Sequence, residues 1–343
     1  MKNLSLLKLL SLLLILVTAA SCGTDDDTVT DPDPVVLKNI VELATDDGNF
    51  DLLIAATNKA GLIPTLSSDA ASFTIFAPTD NVFQTFLDAQ GVTLEQLDTP
   101  TVQLILTNHA FAGKIASSSL ATQYYTSRSP IGFYQVDADP SNDGITASMY
   151  VNIDNGDVQI NGGDPATGGA VVVEADIEAS NGFLHKINGV IAPPTLATFA
   201  SSDPRFASLL GALAKVSADP AQPNLVALLS DPNPANGVYT VFAPDNTAFA
   251  NWLTANNTTL ADVDVATLAN RIKYHVIPGA NVRQADITNG LEAATLTGNN
   301  ITLVIDGASY SVNVFGNNSA NITETDIQSQ NGVIHIIDSV LEE

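Results

Sequence analysis

Four histidines are the residues of this chain best able to move a proton or hold a metal ion: His109, His185, His275 and His335. They do not stand in a metal-ligand spacing. No His-Glu-x-x-His helix, Gly-x-Ser-x-Gly elbow or phosphate-binding glycine loop occurs anywhere in the sequence. His109 and His275 fall on an apolar helical face, and His185 and His335 alternate with apolar residues in strand-like runs. Such positions predict packed imidazoles satisfied by backbone groups, not a catalytic base. A second candidate is the loop Asp139-Pro140-Ser141-Asn142-Asp143-Gly144, with oxygens at positions 1, 3 and 5 and a turn glycine at 6, as in a calcium hand. Position 12 is Tyr150, where that loop needs a bidentate glutamate. Asp139, Ser141 and Asp143 are therefore a weak calcium set, and no other cofactor is expected. A third is the aromatic run Tyr124, Tyr125, Phe133 and Tyr134, with Tyr150 beyond it. It reads either as cross-strand core pairs or as an exposed face for stacking on sugar rings.

Composition limits what these groups can serve. Twelve basic residues stand against 37 acidic ones in 343 residues, a net charge of −25. Phosphate neutralisation is excluded, so no nucleic-acid partner is expected. Apolar residues reach 45 %, enough for sizeable cores. The single cysteine, Cys22, excludes an intramolecular disulfide and a thiolate zinc site.

Cys22 closes a leader. Lys2 and Lys8 give residues 1–21 their positive start, Leu9 to Val17 the apolar stretch, and Thr18 to Ser21 the small residues of a cleavage site. Ala19-Ala20-Ser21-Cys22 resembles a bacterial lipobox, which implies cleavage, lipid attachment at Cys22 and a membrane anchor. Loss of both lysines takes the charge from −25 to −27. Residues 22–36 then form a tether with five aspartates and two prolines, extended and at most roughly 45 Å long. An acidic run just after the cysteine also resembles the surface-export signal of Bacteroidota lipoproteins, which implies an outer-membrane lipoprotein facing outward.

The rest of the chain is written twice. Thr74-Ile-Phe-Ala-Pro-Thr-Asp-Asn-Val-Phe83 matches Thr240-Val-Phe-Ala-Pro-Asp-Asn-Thr-Ala-Phe249, and the same offset of 166 carries His109 to His275. Asn181-Gly-Phe-Leu-His185-Lys-Ile187 matches Asn331-Gly-Val-Ile-His335-Ile-Ile337 at an offset of 150. Two copies of this length make tandem domains, not a solenoid. In each copy helical spacing comes first. Phe50, Leu53, Ile54 and Thr57, and likewise Phe206, Leu209, Leu210 and Leu213, follow i, i+3, i+4, i+7 after a capping Asp47 or Asp203. Apolar strands end at Pro78 and Pro244, and helices follow bearing Phe83, Phe86 and Leu87, or Phe249, Trp252 and Leu253. Thr93-x-x-Gln96 reads as a capping box, and Thr99-Pro100 opens a further helix. Later residues alternate with period two around Asn-Gly turns. Helices before strands, with one early strand, predict an α+β fold.

The Phe-Ala-Pro box, the helical Tyr274-His275 (Asn108-His109 in the first copy) and the closing Asn-Gly-x-x-His-x-Ile strand resemble the fasciclin-like domain. The resemblance spans 37–194 and 195–343, with Ala192-Pro193-Pro194 at the boundary. It implies two wedge-shaped units, each an antiparallel β-sandwich packed by several helices. Animal members use the Tyr-His segment and an Asp-Ile pair in adhesion. That implies Asn108, His109, Asp176 and Ile177 in the first copy, and Tyr274, His275, Asp326 and Ile327 in the second. The expected function is non-catalytic adhesion or matrix interaction from the cell envelope, with a matrix protein, cell-surface protein or polysaccharide as partner. The alternative is a glycan- or small-ligand-binding accessory lipoprotein of a nutrient-uptake system.

Overall fold

The computed structural model describes residues 37–126, 146–233, 237–307, 309–314 and 319–342. In the first repeat three helices come first: α1 (Ile40–Asp47), α2 (Asp51–Lys59) and α3 (Ile63–Leu66). Then follow β1 (Phe73–Pro78), α4 (Asp80–Gln90), α5 (Thr99–Thr107), β2 (Ala110–Ala112), β3 (Gln123–Thr126), β4 (Ser148–Asp154), β5 (Asp157–Ile160), β6 (Ala170–Ala179) and β7 (Gly182–Ile187). The second repeat runs α6 (Leu196–Ser202), α7 (Ala207–Ser217), α8 (Leu225–Ser230), β8 (Tyr239–Pro244), α9 (Asn246–Ala255), α10 (Val265–Tyr274) and β9 (Val276–Pro278). It ends with β10 (Leu291–Ala294), β11 (Asn300–Asp306), β12 (Ser309–Val314), β13 (Ser319–Ser329) and β14 (Gly332–Ile337).

Each repeat builds one seven-stranded sheet, ordered β2-β1-β7-β6-β5-β4-β3 and, in the second, β9-β8-β14-β13-β12-β11-β10. The pairs are antiparallel as expected, with one exception per sheet: β1 lies parallel to β7 and β8 parallel to β14. All six residues of β1 and of β8 are buried, which suits strands covered on both faces. Alternate side chains feed two cores. Phe73, Ile75 and Ala77 join the helices on one face, while Phe76 joins the curled outer strands on the other. Tyr239, Val241, Ala243 and Phe242 repeat the division.

The closing Asn-Gly turn locks the first helix of its own repeat. Asn181 Oδ1 accepts from Ile40 N at 3.0 Å, and Asn331 Oδ1 accepts from Leu196 N at 2.9 Å. Asp203 caps as predicted, accepting from Arg205 N at 2.9 Å at the start of a short 3-10 turn. Asp47 does not. It is the last residue of α1, which ends on the left-handed Gly48 (φ 71°), and α2 starts after Phe50 with no side-chain cap. An aspartate three residues before an apolar helical run fits either role, and here the preceding helix claims it. Gln96 accepts from Thr93 N at 2.8 Å and closes a single turn ahead of α5. Leu210, expected in the core, keeps 37 % of its surface.

Candidate functional site

The histidine expected on the helix face sits at its end. Asn108 caps α5, with His109 next, and His275 caps α10. Nδ1–H of His109 donates to the Ile105 carbonyl at 2.7 Å, and Nε2 accepts from Ile191 N at 2.9 Å. His275 makes the same pair, to Arg271 O at 2.7 Å and from Leu341 N at 2.9 Å. Each imidazole thus satisfies a helix-end carbonyl and ties the helix to the segment after the final strand. Burial pushes both pKa values from 6.5 down to about 4, so both rings are neutral at physiological pH. Neighbouring Asn108 donates to Ile191 O and Ala192 O at 3.0 and 2.9 Å. Tyr274 is buried and donates to Asn300 O at 3.2 Å. These groups are spent on the interior.

His185 and His335 carry the opposite tautomer. Nδ1 of His185 accepts from Asp176 N at 3.0 Å, and Nε2–H donates to Ile115 O at 3.2 Å. In the second repeat the distances are 3.4 Å from Asp326 N and 2.8 Å to Val282 O. Both rings lie 5.5 Å from a phenylalanine of the early strand, Phe76 or Phe242. Burial lowers both histidine pKa values. The aspartates occupy bulges in β6 and β13 with left-handed backbone, φ 62° and 61°, a conformation that costs a non-glycine residue about 1–2 kcal/mol. Their carboxylates turn back onto the loop after β2 or β9. Asp176 accepts from Ser117 N at 2.7 Å and Ser117 Oγ at 2.5 Å, and Asp326 accepts from Gln284 N at 2.7 Å. Partial burial would raise the Asp176 pKa, but the Ser117 bonds outweigh it and the net shift is downward. Ile177 is partly buried against the helical core, and Ile327 is buried at 1 %. The Asp-Ile pair is thus a bulge with a latch. Among the described residues no three His, Cys, Asp or Glu side chains converge as a metal site.

The aromatic candidates separate. Tyr125 stacks on Phe111 at 5.2 Å, and its hydroxyl accepts from Ala121 N at 2.8 Å. Tyr124 does not offer an open face for a sugar ring, because it fills the seam between the repeats. Its ring meets Tyr150 at 4.9 Å, Phe199 edge-on at 5.2 Å and the Arg205 guanidinium at 5.7 Å. Its hydroxyl donates to Asp203 Oδ2 at 3.0 Å. On the second repeat's side of the seam Arg205 joins two acids, 2.7 Å from Asp203 and 2.7 Å from Glu324. Ser148 Oγ accepts from Gln328 N at 2.9 Å across the same seam. Burial, then the Asp203 charge, pushes the Tyr124 phenol well up, and burial pushes Tyr150 to about 12. Both stay neutral hydroxyls. The two repeats belong to one compact unit, Leu37–Glu343. No sequence pattern announced this seam. Phe133, Tyr134, the calcium candidates Asp139, Ser141 and Asp143, and Cys22 lie outside the described residues.

A helices-then-strands unit built twice, each copy holding one imidazole at a helix end and another against a bulged strand, defines a tandem α+β module. The Fasciclin domain model matches residues 48–193 and 216–343, and the chain belongs to that family. An uncharacterized protein of Synechocystis sp. is 32 % identical over 158 residues, 45 % of this chain and 98 % of its own length. Human periostin is 27 % identical over 321 residues, 92 % of this chain but 32 % of periostin. Among solved structures, a FAS1 domain pair from the insect cell adhesion molecule Fasciclin I covers 88 % of this chain and 95 % of its own. Its TM-score is 0.47 at 16 % identity.

Proposed function

We propose that this chain is a non-catalytic adhesion or matrix-interaction protein, held on the cell envelope by lipid at Cys22 and displayed outward from the outer membrane. The observation that carries the reading is where the reactive groups go. All four imidazoles bond to backbone groups of their own repeat, which leaves the outer surface as the working part. Membership of the fasciclin family, shared with periostin, supports it. The acidic segment 22–36 spaces the paired domains from the bilayer, and two linked domains raise avidity for weak sites. With a charge near −27 after leader loss, the fitting partner is a neutral polysaccharide or a basic protein patch.

The test is a glycan and matrix-protein array probed with residues 23–343, beside attachment assays on a deletion strain. Binding to a matrix component together with loss of attachment is the expected result. Turnover of an array component, or unimpaired attachment with no binding, overturns the reading. Display is tested by labelling intact cells with an impermeant reagent and by the Cys22→Ser variant, which should lose lipid and membrane association together.

A further inference from the structure

The two repeats share one design but sit in unequal surroundings. In the second, Ile327 to Ser329 of β13 are buried and Glu324 to Asp326 are half-buried, and β4 of the first repeat lies against this strand. Among the described residues the same stretch of β6 is bare: Val173 to Asp176 and Glu178 are exposed, and Val173 keeps 62 % of its surface. Beyond Val171 the described strands pair with β6 on one side only, through β7.

The charged groups that receive Tyr124 nevertheless have counterparts in the first repeat. Asp203 and Glu324 are joined by Arg205. Asp47 and Glu174, their counterparts, are joined by Lys186 at 3.0 Å from each, with its ammonium 5.6 Å over the Phe50 ring. Both strands bulge at their aspartate, Asp176 or Asp326. Lys186 supplies from β7 the charge that Arg205 supplies from the 3-10 turn, so the acid–base–acid arrangement is kept although the residue carrying the base has moved.

We propose that this bare face of the first domain, Asp47 with Glu174 to Glu178, docks another fasciclin-like domain that presents a tyrosine-bearing β3–β4 edge, seated as the first domain's own edge is seated on the second. The inference rests on the adhesion reading, since it names one partner for that surface. The occupant is argued by continuity: the chain already contains one such interface, and its receiving half occurs twice. A second copy of this chain does not qualify. Tyr124 stands opposite Tyr150 in the first sheet, and the matching register of the second sheet puts Glu292 opposite Thr302. Glu292 would be driven against Asp47 and Glu174, with Lys186 already shared between them, and like charges repel. Tyrosine at that position brings the neutral hydroxyl that Asp203 accepts in the existing seam. The chain is thus closed to stacking on itself and open at one end to a neighbour with the right edge.

Grafting the missing edge tests this. The probe is residues 23–343 carrying Glu292→Tyr and Thr302→Tyr, both outward-facing positions, with Glu292→Tyr alone as a second probe should the pair disturb folding. Sedimentation velocity is expected to show the wild type as a monomer. The grafted chain should self-associate at least about tenfold more tightly, and adding Glu178→Arg should abolish the gain. A grafted chain with unchanged circular dichroism and melting that sediments like the wild type overturns the proposal, as does association that survives Glu178→Arg. A wild type that already associates through this face would assign it to a second copy. Association that appears only after residues 23–36 are deleted would assign it to the chain's own tether. Either result overturns the occupant named here. An empty glycan and matrix array would count against the adhesion reading and leave the sedimentation result standing.

Discussion

Acid should loosen these domains over a window set by the helix-end histidines. His109 and His275 have folded pKa values near 4 against 6.5 for a free imidazole. Between those values the unfolded chain binds protons that the folded chain refuses, so stability falls as pH drops from about 6.5 toward 4 and is unaffected above it. A proton refused across that whole interval costs about 1.4 kcal/mol for every pH unit, so each ring removes about 3 kcal/mol by the bottom of the window, a sizeable part of a domain's roughly 5–15 kcal/mol. Near pH 5 each contributes a slope of up to about 1.4 kcal/mol per pH unit. The carboxylates held below their usual range, Asp47 and Asp176 among them, stay ionised above pH 5 and do not confuse the slope. Urea unfolding at intervals from pH 7.5 to 5 measures it, with His275→Gln as the comparison. Glutamine keeps an acceptor for Leu341 N but cannot titrate. The variant should be less stable at pH 7.5, yet lose about 1.4 kcal/mol per pH unit less than the wild type near pH 5. Equal slopes in the two proteins, or a flat wild-type profile, would refute the burial argument.

Other perturbations separate the remaining interactions. Tyr124→Phe removes one hydrogen bond to a buried carboxylate and should cost about 1.5–3 kcal/mol in urea unfolding. Arg205→Ala takes the guanidinium from Asp203, whose side chain has no exposed surface, leaving it the Tyr124 hydroxyl and a backbone N–H, and should cost more, about 3–5 kcal/mol. Asp176→Gly should be tolerated better than Asp176→Ala, because only the first relieves the left-handed backbone. The difference should be about 1 kcal/mol in melting experiments, although both lose the Ser117 latch. Gly182→Ala and Gly332→Ala push a Cβ into the carbonyl oxygens of Phe73 and Tyr239 in the neighbouring parallel strands. Each should unfold its domain, seen as lost ellipticity or insoluble expression.

The repeat itself was legible in the residues. Buried Phe76 and Phe242, the helices after Pro78 and Pro244, and the Asn-Gly turns all lie where periodicity and turn chemistry put them. The histidines were legible as packed groups, but their tautomers were not, since these depend on partners such as Ile191 and Ile115 that are far away in sequence. The parallel pairing of β1 with β7 was hidden because a fully buried strand has no polar face to betray its neighbours. Tyr124 could pass for a surface aromatic for a related reason. Alternation shows that it and Tyr125 face opposite ways, but not that one of those faces meets the other repeat. Asp47 and Asp176 show two further limits: one residue can end a helix or begin one, and no sequence signal marked a bulge held by an aspartate with positive φ.

The last strand made in each unit is also an inner one. β7 slots between β1 and β6, and β14 between β8 and β13, so the early strand of each sheet waits for an inner partner that leaves the ribosome about a hundred residues after β1 or β8. Until Gly182–Ile187 or Gly332–Ile337 arrives, the sheet is two halves with raw edges. Each unit of this design therefore stays pliable until its closing strand is made. The same order makes loss of the six residues Gly332–Ile337 far more damaging than their number suggests.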